Sequence, residues 1–141
     1  EIPKLIQTKS SQNIILNLEK EENNIIIKTE ESMELDLKQF IGRLSRLGKE
    51  VLPSTASLWL YGSRARGTAH EDSDWDLLIL LDEEKQKTSD FVQYAFPFTL
   101  MASEEDQMVI PQIYTKRQWQ QMQFTPFVKN VEHDKVVLVC V

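Results

Sequence analysis

The sequence has a single cysteine, Cys140, so no intrachain disulfide can form. That usage fits a reducing, cytoplasmic setting. Cys140 lies in the apolar run 136–141 and reads as a core residue. No apolar run approaches the roughly 20 residues that a membrane span needs. The first residues also lack the basic start and apolar core of a secretory signal. A membrane is therefore not expected as a partner. The chain opens at Glu1 and not at a methionine, which suits a processed or engineered start or a segment ahead of it. Positive charge is in deficit: 16 Lys and Arg stand against 22 Asp and Glu, for a net charge of −6. Nucleic-acid backbone attracts positive charge, so general nucleic-acid binding is disfavoured, while a local basic pocket for one phosphate group is not. There is no internal repeat and no low-complexity tract. What remains is 141 residues, 41% hydrophobic and 27% charged, which suits one domain with a real core.

Hydrophobic periodicity divides the chain. Residues 1–33 differ from the rest and are expected to form an N-terminal arm or hairpin. The apolar runs 14–18 and 25–27 flank a polar stretch, and Asn23-Asn24 suits a turn. Residues 34–141 form the main domain. Over 34–52, Leu37, Phe40, Ile41, Leu44, Leu47 and Val51 recur at spacings of three and four, which predicts an amphipathic helix closed by Pro53. Residues 57–61 read as a strand. Residues 75–81, with five apolar residues in succession, read as a strand buried on both faces. A helix is expected near 90–100, kept short by Pro97. Residues 108–114 read as a strand at an edge or with a bulge, because Pro111 cannot donate to a ladder. Thr115 can cap a helix through about residue 122, and Thr125-Pro126 can start another. Residues 136–141 are the last strand. Strands separated by helices predict an α/β (α+β) domain, a mixed sheet flanked by helices.

The informative segment is 60–81. A strand ends at Tyr61. Gly62 allows a sharp turn and close backbone approach to a ligand. Ser63 offers a hydroxyl, and Arg64 and Arg66 bring positive charge: together, a phosphate-binding arrangement. Asp74-Trp75-Asp76 follows at the mouth of the next strand. Residues two apart in a strand share a face, so the carboxylates would lie side by side and repel. A divalent cation resolves that repulsion. Magnesium suits an all-oxygen site of one or two carboxylates plus substrate phosphates, and manganese can replace it. Trp75 alternates to the opposite face. A phosphate cradle beside a carboxylate pair implies metal-assisted phosphoryl transfer.

Gly62-Ser63-Arg64-Ala65-Arg66-Gly67, followed by Ser73-Asp74-Trp75-Asp76-Leu77, resembles the signature of the minimal nucleotidyltransferases of the DNA polymerase β superfamily. The match is tight over 60–81 and loose over about 35–140. The resemblance implies a polymerase β-like mixed sheet. It implies transfer of a nucleoside monophosphate from a triphosphate, ATP favoured, to a hydroxyl, with release of pyrophosphate. By carry-over, Asp74 and Asp76 are the catalytic metal ligands, and Gly62 and Ser63 contact the triphosphate. Arg64 and Arg66 are further candidates for nucleotide binding, with support of the loop or of neighbouring acids as the other role. Little sequence is left for an acceptor domain, so the acceptor is expected to be a partner protein, often helical in similar enzymes.

The family pattern carries a third carboxylate on a later strand. Here the best register puts Ile110 at that position, with Glu104, Glu105 and Asp106 just before it as substitutes if the register slips. A nucleotide-binding, antitoxin-like module with weak or no turnover is therefore the rival reading. His70 is expected in an exposed loop, and Glu132-His133-Asp134 as a solvated connection. Trp59, Trp75 and Trp119 are expected in packing.

Overall fold

The computed structural model describes residues 17–21, 24–28 and 30–140. Strands β1 (Asn17–Glu21) and β2 (Asn24–Lys28) pair antiparallel as a hairpin. Residues 14–16 of the expected first run, and Asn23, lie outside the described residues.

Helix α1 spans Glu30–Val51, starting four residues before the periodic pattern does. Glu31 sits in its first turn, where negative charge favours the N-terminal end of the helix dipole. Next come β3 (Ser57–Tyr61), the single-turn α2 (Ser63–Arg66) and β4 (Trp75–Leu81). A π-helical turn, Phe91–Ala95, runs into α3 (Phe96–Ser103). Pro97 fits the short, interrupted helix found here, as its chemistry suggested. It occupies the first turn of α3, and the widened turn before it closes through Phe96 N–H to the Phe91 carbonyl. The chain finishes with β5 (Val109–Thr115), α4 (Lys116–Gln121), α5 (Pro126–Asp134) and β6 (Val136–Val139). Thr115 and Thr125 cap α4 and α5, the first in a complete capping box with Gln118.

The main sheet has the order β5-β4-β3-β6, with β4 and β5 parallel and the other pairs antiparallel. Pro111 thus lies on an edge strand, as its missing N–H requires. Strand β4 is central and is buried on both faces. Leu77, Ile79 and Leu81 pack with Phe40, Ile41 and Leu44 of α1 and Phe98 of α3. Leu78 and Leu80 pack with Trp119 of α4 and with Val128 and Val131 of α5. Strand β6 is the other edge. Cys140 follows its last residue and is exposed, so the expectation of a core cysteine fails: an edge strand covered on one side leaves its end open to solvent. Among the described residues, no helix is long and apolar enough to cross a membrane.

Helix α1 crosses the sheet at close range through Gly48. A side-chain carbon there would sit 2.9 Å from Leu58 Cδ2 and 3.0 Å from Val139 Cγ2. Gly48→Ile is therefore expected to lower stability. Overpacking a filled core costs about 1–3 kcal/mol, more than the few tenths gained in helix propensity. A urea melt checks this, and a midpoint at or above that of the unmodified chain would contradict the close approach.

Candidate active site

Strand pairing brings the site together. Tyr61, the last residue of β3, lies opposite Asp76 near the start of β4. On the other side Asp76 lies opposite Ile110 of β5. The three share one row on the sheet face that α4 and α5 cover. Trp75 faces the other way, against Phe40 with ring centroids 4.6 Å apart, as alternation predicts.

Gly62 leaves the strand at φ 76° and ψ −157°, a backbone state open to glycine. A Cβ at this position would collide with the Asp76 carboxylate. The backbone turn and the carboxylate thus touch, and glycine is needed for two independent reasons. The Gly62 carbonyl accepts the amides of Ala65 and Arg66, both at 3.0 Å, which closes α2. Gly67, at φ 79°, ends it, and the Ser63 carbonyl accepts the amide of Thr68 at 3.1 Å. Ser63 follows Gly62 directly and is half-buried.

The two arginines diverge. Arg64 is buried, at 6% exposure. Its Nη2 donates to the carbonyls of Ser73 at 2.9 Å and Glu71 at 3.1 Å, and the guanidinium stacks on Trp75 at 4.6 Å. Burial pushes its pKa down, while Asp74 and Glu71 pull it back up. Of the two roles expected for Arg64, this geometry suits support of the loop: its guanidinium is turned into the 71–75 segment, where it holds the residues that carry Asp74. Arg66 points the other way. It stays half-exposed and donates from Nη1 to Asp134 Oδ2 at 2.7 Å.

Burial raises the pKa of Asp76, the neighbouring Asp74 raises it further, and Arg66 works against both. The Tyr61 phenol is pushed up to about 12 by burial, then by Asp76 and Tyr114, so it stays protonated at neutral pH. The acid pair is thus a partly desolvated, like-charged, all-oxygen site, which is the donor set a hard divalent cation takes. Among the described residues, no group of three or more His, Cys, Asp or Glu side chains is placed to hold an ion. Glu105 is committed to Arg43, with Arg43 Nε donating to Oε2 at 2.8 Å. Glu104 and Asp106 do not join the pair either. The expected register holds, and Ile110 stands beside Asp76.

His70 is exposed, and its amide donates to Ser73 Oγ at 2.7 Å. His133 is exposed as expected, but its neighbour Asp134 is not. Asp134 is buried at the end of α5, and the solvated connection expected there is corrected. Val128, Val131 and Asp134 recur every three residues, so the sequence did carry a signal: a carboxylate on an apolar stripe.

Two outcomes are expected. Gly62→Ala should destabilise the fold by about 1–3 kcal/mol, through positive φ and the collision together. In an Asp76→Gly background that cost should shrink, because the collision is gone. Denaturant melts of the four chains check it, and equal costs in both backgrounds would remove the contact. The second outcome concerns charge. Asp76 has a raised folded pKa, so its ionised form costs stability at neutral pH, and that cost fades as pH falls through the raised value. Without metal, Asp76→Asn should melt higher than the unmodified chain at neutral pH, by no more than about 1 kcal/mol because water still reaches the pair. The advantage should vanish on acidification. A variant that melts lower at every pH would count against a repelling pair.

No curated protein matches the chain. Among solved structures, a toxin–antitoxin with AMP-PNP is similar at 19% identity and TM-score 0.49, covering 72% of this chain and 73% of that one. A mutant of the toxin–antitoxin MntA–HpeT is similar at 17% identity and TM-score 0.48, with the same shares covered. The model of the nucleotidyltransferase domain family matches residues 37–140, from within α1 to just past β6, a span that includes Gly62 and Asp76. The chain belongs to the nucleotidyltransferase domain family.

Proposed function

We propose that the chain is a metal-dependent nucleotidyltransferase that moves a nucleoside monophosphate from a triphosphate, ATP favoured, to a hydroxyl acceptor and releases pyrophosphate. The observation that carries this is the Asp76 carboxylate set against the Gly62 turn, with Asp74 near enough to act on its charge. The pair would hold magnesium, or manganese in its place. When bound, the ion supplies positive charge against the triphosphate. The chain's own residues do the rest. Gly62 keeps the backbone low beside the acids, so that phosphate can approach. Ser63 offers a hydroxyl to a phosphate oxygen. Arg64 keeps the Asp74 segment in place from below, and Arg66 sets a cation at the rim.

A partner protein is the favoured acceptor. Phe91, Val92, Phe96 and Leu100 stand 47–69% exposed along the π turn and α3, apolar surface of the kind protein partners cover. The cytoplasm, where triphosphates are abundant and a lone thiol stays reduced, is the setting this reading implies.

One observation favours a second reading, a nucleotide-binding module with slow or no turnover. Ile110 stands where a third acid would face Asp76. In a two-metal site one ion holds the triphosphate and the other activates the attacking oxygen. Two carboxylates suit the first duty better than both.

Calorimetry and a transfer assay test both readings. Asp74→Asn and Asp76→Asn should each weaken magnesium-dependent ATP binding roughly tenfold or more, since a lost charged ligand costs on the order of 1.5–3 kcal/mol. Unchanged affinity in both variants would defeat the site. In the transfer assay, Ile110→Asp should raise turnover with magnesium or manganese, and Gln112→Glu, opposite Leu78 one step along the same face, should not. Fast turnover by the unmodified chain, lost in Glu105→Gln or Asp106→Asn, would show that an acid outside the pair supplies the third ligand.

A further inference from the structure

Asp134 belongs to neither the Gly-Ser turn nor the acid pair, and it comes 68 residues after Arg66 in the chain. Yet the two side chains meet at 2.7 Å. Their exposures are unequal. The Asp134 side chain is 8% exposed and that of Arg66 is 49% exposed. The carboxylate is thus the fixed end of the pair and the guanidinium the reaching end. Arg66 is also tied to the site through its backbone, because its amide bonds the carbonyl of Gly62, the residue that touches Asp76. Asp134 takes one N–H of Arg66, and a guanidinium has five, set in a rigid fork that suits phosphate oxygens. Arg64, two residues earlier, cannot serve in this way, since its fork is closed on the carbonyls of Glu71 and Ser73.

We propose that Asp134 is a positioning residue that holds Arg66 at the rim of the acid pair, aimed at the polyphosphate of the bound nucleoside triphosphate. This rests on the nucleotide reading above. A free arginine at a site mouth explores many rotamers, and fixing it on binding costs entropy. A buried carboxylate removes that freedom beforehand. It also stays charged while doing so. Burial would raise the pKa of Asp134, but hydrogen bonds from Arg66 and His133, with their charges, hold it below the ordinary carboxylate range. Arg66 then has a fixed place between two acids, near enough to Asp76 to offset part of its repulsion from Asp74. A nucleotide that brings its own cation to the acid pair leaves Arg66 facing the phosphate chain.

The rival is a tie that merely docks α5 against the β3–α2 turn. Equilibrium binding of ATP with magnesium, and of AMP, separates the two. The chains are the unmodified protein, Arg66→Ala, Arg66→Lys, Asp134→Asn, Asp134→Glu and the Arg66→Ala/Asp134→Asn double variant. Arg66→Ala and Asp134→Asn are each expected to weaken ATP binding roughly tenfold, the scale of one charge-assisted hydrogen bond to phosphate, and to leave AMP binding within about twofold. The double variant should bind ATP no more weakly than Arg66→Ala alone, because Asp134 acts through Arg66. Asp134→Glu should recover most of the loss. The proposal is overturned if Asp134→Asn weakens ATP and AMP equally, if the two losses add in the double variant, or if Asp134→Asn leaves ATP affinity unchanged. Circular dichroism identifies a variant that fails to fold. In that case Arg66→Lys decides, since it keeps the charge and loses the fork, and an unchanged ATP affinity overturns the proposal. If the unmodified chain binds ATP no better with magnesium than without it, or Asp74→Asn has no effect, the nucleotide reading itself fails and the proposal falls with it.

Discussion

The carboxylate of Asp76 occupies the space that a side chain at position 62 would need. Much of the site follows from that contact. It requires β3 and β4 to pair antiparallel in the register that sets Tyr61 opposite Asp76, so that the next residue turns over the acid. It requires a residue that accepts positive φ and carries no Cβ. It also requires a rigid β4, since a carboxylate free to swing would not stay under the turn. Rigidity comes from burial: Leu77 to Leu81 are held between α1 and α3 on one face and α4 and α5 on the other. The hydrophobic core sets the position of a charge that, by itself, would rather be in water.

Two arginines in one turn, Arg64 and Arg66, divide the electrostatic work by side-chain direction. Arg64 goes inward, onto Trp75 and two loop carbonyls. A guanidinium is among the few groups that can be buried in this way, because its fork satisfies several carbonyls at once and its flat face stacks on an indole. Lysine offers a single ammonium and no flat face. Trp75 is itself fixed, through Nε1 to Gln107 at 2.9 Å and through its amide to the Met108 carbonyl at 2.8 Å. The loop carrying Asp74 is therefore tied to the start of β5 as well as to α2. Arg66 goes outward and finds its anchor on a distant helix.

The sequence made the strands and the acid pair legible because their signals are local. Five apolar residues in a row could be placed only in a strand buried twice. Pro111 pointed to an edge or a bulge, and β5 is an edge strand. The Ile110 register was legible for the same reason, since alternation from Val109 leaves little choice. What was not legible shares one cause. Arg64 and Arg66 look alike in sequence, and their opposite directions depend on Trp75, Ser73 and Asp134, which only the fold brings near. Cys140 looked like core because its run is apolar, but burial depends on which strand lies at the edge.

Ile110 shows how the sheet order bears on the chemistry. Position 110 lies on β5, an edge strand, and is 38% exposed. Its neighbour across the ladder is Asp76, already raised in pKa by burial and by Asp74. A third carboxylate here would add a third like charge to a region with one rim cation, Arg66, which Asp134 already shares. The metal-free fold would then bear that repulsion across the β4–β5 ladder at the edge of the sheet, where the ladder has support on one side alone. With isoleucine the ladder carries no such load. Under the proposed reading, the same residue that eases the metal-free state limits what the site can hold to the ion that two carboxylates and a polyphosphate share. On that reading the proton of the acceptor's hydroxyl has to pass to a base other than an acid on β5, and a partner that brings the hydroxyl to the rim can bring that base with it.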